Sequence, residues 1–437
     1  MGISLSTKRL LFIILAAGFV FRIVLFGIFH NNEIFVIEND STGYLTLAEN
    51  LRLGNGFSQQ TVAPFAPDPF RTPGYPVFLL INRVLTGTYQ SAILVQGILV
   101  VLTAWLVALI GFRMGYRRVA VGAALIFLCM PFSLMDSLKY LMQPVFSFTL
   151  ILAVWWWLNY AENKKKPYLW GVALLLPLAA LQRPIAIWLP AVFLIGLALM
   201  EWRNSSFAWR SWIKTAAIVI GVFAVVLAPW CYRNYREFGS YSLSSIRAFQ
   251  LYFYDVPPVL ALARHSSYSD ARDFLERDIK NYLTISNPTE YQNFNSAPIL
   301  NERSLFYIKQ YPLAAATSRI PLLVSFFTRD GIRYWFQYFN PAAISANSLV
   351  FLAAVIAERL VLAFITLGFI IASIQFFRRK NHASVGMIIV VIAYFAVLSG
   401  GVSSAGLRIV VEPLIILTGF IGWQDIYKNI GLRLHSR

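Results

Sequence analysis

Long apolar runs joined by short polar links make up most of this chain. A membrane-crossing helix needs about 20 apolar residues. Runs of that order lie at about 9–29, 90–111, 119–136, 141–160, 168–182, 185–201, 213–231, 347–376, 384–400 and 407–424, which predicts about ten transmembrane helices. The stretch 313–328 is apolar but short, and reads as an eleventh span or a re-entrant piece. The run 347–376 exceeds one bilayer thickness and is predicted to tilt or to project beyond it. Breaks in "FSLMDSLKYLMQPVF" and "LAALQRPIAIWLP", the second with Arg183 and Pro184 between two runs, suggest short re-entries between paired helices.

Two polar stretches interrupt the pattern, at about 30–89 and 232–346. The first contains "NDSTGYLTLAENLRLGNGFS", residues 39–58, where Leu45, Leu47, Ala48 and Leu51 give a short amphipathic helix that would lie in the membrane interface. Gly54-Asn55-Gly56 then signals a turn, without the strand and helix that flank a nucleotide-binding loop. The pattern divides the chain into an N-terminal membrane module 1–231 that includes the loop 30–89, a large polar segment 232–346, and C-terminal helices 347–437. We find no internal repeat, heptad pattern or low-complexity tract.

Composition excludes a soluble single domain: of 437 residues 58% are hydrophobic and 13% charged. Many Trp and Tyr residues fall near the ends of the runs, as in interfacial belts. A net charge of +17 raises nucleic acid as a partner, but the basic residues sit between apolar runs, so membrane orientation explains them and no nucleic-acid partner is expected. Lys8, Arg9, Arg113, Arg117, Arg118, Lys164 to Lys166, Arg203, Arg210, Lys214, Arg378 to Lys380, Lys428, Arg433 and Arg437 fall on one side, the cytoplasmic one by the positive-inside rule. Both termini then face the cytoplasm, and both polar stretches lie outside. The first run has no small-residue cleavage site and reads as a retained span. Cys129 and Cys231 imply neither a disulfide framework nor a thiolate metal site. His30, His265, His382 and His435 are scattered; a divalent cation at Asp40 near His30 is weighed below a site without metal.

Ionisable residues in or beside the runs are costly and rarely idle. They are Arg22, Asp40, Arg183, Arg233, Glu358, Arg359, Arg408 and Glu412. In the expected topology Asp40, Arg183, Arg233 and Arg408 gather at one outer level, and Arg71 of "FRTPGYPVFL" joins them from the first loop. One acid among several arginines suits group transfer from an anionic phosphate donor. Arginines hold the phosphate by charge-assisted, bidentate bonds, and the carboxylate takes a proton from the incoming hydroxyl. Structural readings stand beside this one. Asp40 is placed to cap a helix with Ser41 and Thr42. Arg22 has Glu358 or Glu412 as possible ion partners, or snorkels. Glu358 and Arg359 point to different sides of a helix and suit an interhelical pair.

Four ordered motifs resemble one family. Asp40 with Tyr44 and the following "LAENLRLGNGFS" and "FRTPGYPVFL", then "LQRPIAIWLP", "APWCYRNYREFGSY" and "SSAGLRIVVEPLIILTGFIGW", resemble polytopic lipid-dependent glycosyltransferases of the GT-C fold. The pattern is closest to bacterial protein O-mannosyltransferase-like and aminoarabinose-transferase-like membrane enzymes. It covers most of the chain except about 250–345. The resemblance implies an all-α polytopic fold of about 10–11 transmembrane helices, with amphipathic periplasmic helices in the first outer loop and a large second outer segment. It also implies a polyprenyl-phosphate sugar donor (undecaprenyl-phosphate in a bacterium), an inner-membrane location with a periplasmic site, inversion at the anomeric carbon, and a glycan, lipid or protein acceptor. Asp40 takes the role of catalytic base, and Arg233 and Arg408 bind the donor phosphate; the charge argument adds Arg71 and Arg183. Tyr44, Tyr75, Asn234 and Glu38 are the expected substrate contacts, and Tyr252, Tyr254 and Trp335 suit sugar stacking or plain aromatic packing. Two positions depart from the family. Ser41 stands where many relatives have a second acid, with Glu38 two residues before Asp40 as one candidate substitute, and Gln143 stands where many have an acid before Pro144. A lipid or oligosaccharide transporter, and a polymerase or ligase using a lipid-diphosphate-linked glycan, are the rival readings.

Overall fold

The computed structural model describes residues 4–283, 288–378, 383–399 and 404–435, which contain helices and no strand. The membrane-type helices are α1 (Leu5–Phe29), then, after the short helices α2 (Asn39–Leu53) and α3 (Gly74–Thr86) of the first loop, α4 (Gln90–Arg113), α5 (Arg117–Cys129) with α6 (Pro131–Ser137), α7 (Gln143–Asn163), α8 (Lys166–Gln182), α9 (Leu189–Arg203) and α10 (Trp209–Phe238). The second polar segment contains α11 (Val256–Ala263), α12 (Tyr268–Lys280), α13 (Ala297–Gln310), α14 (Arg319–Thr328) and α15 (Ile332–Phe339); α16 (Leu349–Arg378), α17 (Ala383–Leu398) and α18 (Ser404–His435) follow.

Over its described residues, each of the ten expected runs is mainly helical. Among the described residues seven helices are long and apolar enough to cross a membrane, and α5 with α6 makes an eighth. α8 and α17, at 17 and 16 residues, are shorter than a full span. The chain is a multi-pass membrane protein. The stretch 313–328 forms the short helix Pro312–Thr317 and α14, which together fall below spanning length.

Two expectations are corrected here. The run 119–136 is not one straight span: α5 and α6 meet at 56°. Pro131 supplies no N–H and breaks the ladder, leaving the last carbonyls of α5 without helical donors. Buried Arg22 fills that gap instead of pairing with Glu358 or Glu412. It donates to the Leu128 carbonyl at 3.2 Å, to Ser133 Oγ at 3.1 Å and to the Gly18 carbonyl at 3.2 Å. Glu358 and Arg359, on different sides of α16 as expected, each take a structural partner outside it. The Glu358 carboxylate accepts the N–H groups of Gly331 (2.8 Å) and Ile332 (2.6 Å), while Arg359 binds Asp330 at 2.8 Å. Both hold the start of α15.

The core is a continuous apolar mass around Phe146, Leu150, Trp157, Phe193 and Leu414. α18 is enclosed by α5, α7, α16 and α17. It meets α16 backbone to backbone: a Cβ added at Gly422 or Gly419 would collide with the carbonyls of Gly368 or Ile365. Small residues permit such crossings where lipid tails offer no hydrophobic drive between helices. At the basic end of the bundle Arg113 reaches Asn159 (2.6 Å) and Glu162, Lys164 reaches Glu201, and Tyr116 donates to Asp425 at 2.9 Å. Of the basic residues expected there, Arg379, Lys380 and Arg437 lie outside the described residues.

The second segment has its own small core, including Tyr252, Val256, Leu260, Leu275, Leu300 and Tyr307. Arg303 clamps Asp278 at 3.0 Å beside it. Tyr252 is fully buried there, which removes it from the sugar-stacking residues. Trp335 is likewise engaged in packing, its Nε1 donating to the Pro131 carbonyl at 3.1 Å and its ring stacked on Phe339.

Candidate active site

The first loop is built around α2. Its N-cap is Glu38, and the Ser41 hydroxyl accepts the Glu38 N–H at 2.9 Å and donates to the Tyr140 carbonyl at 3.1 Å. Asp40 is therefore not the cap. It lies in the first turn, where a carboxylate complements the helix dipole. Gly54, at φ 80°, ends the helix in the left-handed conformation that glycine adopts without strain.

The chain then turns at Asp68, whose Oδ1 accepts the N–H groups of Phe70 and Arg71 at 2.7 Å each. This local turn aims Arg71 back at α2. The following residues fasten α3 to the end of α8: Thr72 donates to the Gln182 carbonyl at 3.1 Å. A Cβ at Gly74 would stand 2.7 Å from the Leu181 carbonyl oxygen, so only glycine lets the two backbones meet.

Arg71 Nη2 donates to Asp40 Oδ1 at 2.7 Å, and Nη1 reaches the Tyr44 hydroxyl at 3.4 Å. The guanidinium also lies 4.9 Å from the Tyr44 ring centroid. The arginine side chain is 15% exposed and the aspartate 49%, so the pair presents its carboxylate outward with the cation behind it. Burial disfavours the charge on Arg71, but Tyr44, Asp40 and Asp68 outweigh it and raise its pKa further. Arg183 joins this group electrostatically with Tyr44, Asp40 and Arg71; its Nη1 lies 3.4 Å from the Gly406 carbonyl oxygen. Tyr75 packs edge-on against Tyr44 and donates to Gln96 at 2.6 Å, and Gln96 donates to the Lys139 carbonyl at 2.7 Å. Tyr75 thus supports the site from below.

A second polar cluster adjoins the first. Glu38 Oε2 accepts three bonds of 2.7 Å, from Lys139 Nζ and from the hydroxyls of Tyr334 and Tyr338. Partial burial pushes the Glu38 pKa up, but Lys139 and the two tyrosines outweigh it and hold the carboxyl below its usual range. Burial, then the bond to Glu38, pushes Tyr338 up to about 12, so it stays a donor at neutral pH. Asp136 is buried nearby and interacts electrostatically with Lys139, Glu38, Glu412 and Arg183. Its Oδ2 has no hydrogen-bond partner among the described residues.

The structure thus brings together Asp40, Arg71, Tyr44 and Arg183, with Tyr75 beneath and Glu38 alongside. The other expected residues have different partners. Arg233 donates to the Asp68 carbonyl and to Asn234 Oδ1, both at 2.9 Å, and stacks near Trp230. Asn234 Nδ2 binds the Ser242 carbonyl at 2.8 Å. Arg233 thus holds the Asp68 turn to α10, and Asn234 holds the chain at Ser242 and Leu243 there. Arg408 is buried, paired with Glu412 at 2.9 Å and bonded to the Arg329 carbonyl at 2.6 Å. Asp136, Lys139, Tyr334 and Tyr338 went unselected in the sequence. Two charges three residues apart inside the apolar "FSLMDSLKYLM" were the available signal.

Among the described residues no group of three or more His, Cys, Asp or Glu side chains is placed to hold a metal ion. A divalent cation takes several oxygen ligands. Around Asp40 stand arginines, and Glu38 is turned to Lys139 and two tyrosines, so this donor set does not fit one.

No protein-family model matches the sequence, and no curated protein matches it. Solved structures do match in fold. The apo oligosaccharyltransferase of Archaeoglobus fulgidus superposes with a TM-score of 0.55 at 14% identity, over 98% of this chain and 51% of that one. AglB from the same organism, in complex with an inhibitory peptide and a dolichol-phosphate, gives 0.55 at 15% identity, over 99% and 52%. ArnT from Cupriavidus metallidurans bound to undecaprenyl phosphate gives only 0.41 at 13% identity, over 92% and 77%, too loose to carry an argument. The chain spans about half the length of the oligosaccharyltransferases it matches. At these identities the likeness is one of fold: an all-α, polytopic GT-C membrane architecture.

Proposed function

We propose that this chain is a membrane glycosyltransferase that moves a sugar from a polyprenyl-phosphate donor to a hydroxyl of a cell-envelope acceptor, with inversion. The observation that carries the reading is the outward Asp40 carboxylate backed by buried Arg71 at 2.7 Å, with Arg183 within electrostatic range of both. The fold it shares with a structure holding dolichol-phosphate supports a lipid-phosphate donor.

In this mechanism the Asp40 carboxylate accepts the proton of the incoming hydroxyl. The hydroxyl oxygen forms a bond to the anomeric carbon as the bond from that carbon to the phosphate oxygen breaks. The electron pair leaves with polyprenyl phosphate, and Arg71 and Arg183 stabilise its growing negative charge. Arg71 serves both partners, since it orients the base and faces the leaving group. Tyr44 fixes the guanidinium plane by its ring.

The charge asymmetry along the chain supports a bacterial inner-membrane protein with this site on the periplasmic side. The division into 1–231, 232–346 and 347–437 belongs to the same proposal, with 232–346 on the acceptor side. A transporter lines its path near mid-bilayer, whereas these ionisable groups gather at one end of the bundle. The test supplies purified protein with radiolabelled polyprenyl-phosphate sugars and a cell-envelope extract, wild type against Asp40→Asn. Transfer that needs Asp40 supports the reading. Absence of transfer from every such donor, or full activity of Asp40→Asn, overturns it.

A further inference from the structure

Glu38 stands two residues before Asp40 and joins two distant parts of the chain. Its Oε2 accepts Lys139 from the link after α6, and Tyr334 and Tyr338 from α15. The two tyrosines are four residues apart, so one face of α15 delivers both. Lys139 is fully buried beneath them, its Nζ 3.8 Å from the Tyr338 ring centroid. The end of α15 meets the same junction: the Phe35 ring lies 5.6 Å from that of Tyr338 and 4.9 Å from that of Phe339, and Phe29 at the end of α1 lies 5.4 Å from Phe339. Glu358 of α16 fixes its first residues.

We propose that Glu38 is a positioning residue that ties α15 of the second segment to the first turn of α2, and so sets the orientation of Asp40. It takes no part in the bond changes. Its carboxylate has three protein donors, while the Asp40 carboxylate faces outward. The proposal rests on Asp40 being the base. α15 is then the element through which the second segment acts on the chemistry.

The test uses the full-length protein in detergent and two variants. Tyr334→Phe/Tyr338→Phe keeps the Glu38–Lys139 pair and removes only the coupling bonds. Glu38→Gln removes the charge as well. Hydrogen exchange is followed in peptides covering 331–340 and 39–44. Loss of two bonds to an ionised carboxylate should raise exchange in both segments by about tenfold or more. The kcat per folded enzyme should fall about tenfold while donor KM stays within about twofold, the split expected when a transition-state alignment is lost. Reduced yield of folded protein with kcat unchanged would overturn the positioning role. So would exchange at 39–44 that does not respond to the tyrosine variant. If those results came with an inactive Asp40→Asn, the base would stand and the coupling fall. If Asp40→Asn were active, the base would fall, and the exchange data alone would judge the coupling.

Discussion

Arg71 meets Asp40 through a single 2.7 Å bond between two elements of the first loop, 31 residues apart in the chain. The acid is held by its partner, and the cap of its helix is Glu38 rather than Asp40. Replacing Asp40 by Asn should therefore leave the amount of folded protein unchanged and lower its melting temperature by only a few degrees. Transfer should fall by about 10²–10⁴-fold, the range for a lost general base. Initial rates with a labelled donor, beside a thermal melt, measure both.

Arg71→Lys keeps the charge but not the fork that spans Asp40 and Tyr44. The expected result is a drop in kcat of about tenfold or more, with folding intact. A variant with wild-type kcat would show that a point charge suffices.

Tyr44→Phe should be mild. The hydroxyl receives only a 3.4 Å bond from Arg71 and points at Met142 sulfur at 3.6 Å. The ring does the orienting. Tyr44→Ala would open a cavity under Arg71 and should destabilise the protein by about 3–5 kcal/mol, as for other buried aromatics. The pair is compared by chemical denaturation and by activity.

Arg408 was expected on the donor phosphate, yet it is paired with Glu412 in a dry environment. Arg408→Ala should cost about 3–5 kcal/mol by leaving a buried carboxylate alone. The double variant Arg408→Met/Glu412→Leu should cost much less and retain transfer. A folded double variant without transfer would return Arg408 to the site.

Acid should loosen the Glu38 junction. The folded carboxyl has a depressed pKa, so its contribution to stability is complete above the unfolded value, about 4.3. It is lost as pH falls through the lower folded value. Exchange protection at 331–340 should thus hold at neutral pH and fail in strong acid, and Glu38→Gln should abolish that dependence.

Much of the architecture was legible because spans announce themselves by length and apolarity: over the described residues the ten runs are mainly helical, though seven helices, or eight with the bent pair, reach spanning length. The proximity of Asp40 and Arg71 was legible too, since both fall in recognisable motifs of one loop. What stayed hidden depended on where other chain segments come to rest. Nothing near Arg22 marks the Leu128 carbonyl as its target; that followed from the break at Pro131. Glu38 finds Tyr334 and Tyr338 about 300 residues away, beyond any local period. Arg408 and Glu412 pair as opposite charges within one helical turn, which the charge argument passed over in favour of a ligand.

The fastening of Thr72 and Gly74 onto the end of α8 sets the first loop directly on the helical bundle rather than out in solvent. A substrate anchored in lipid would then arrive by lateral diffusion within the leaflet. Its effective concentration is a mole fraction in the bilayer, not an amount per volume of water. Diluting the donor with inert phospholipid at constant bulk concentration should slow the proposed transfer, and adding buffer should not.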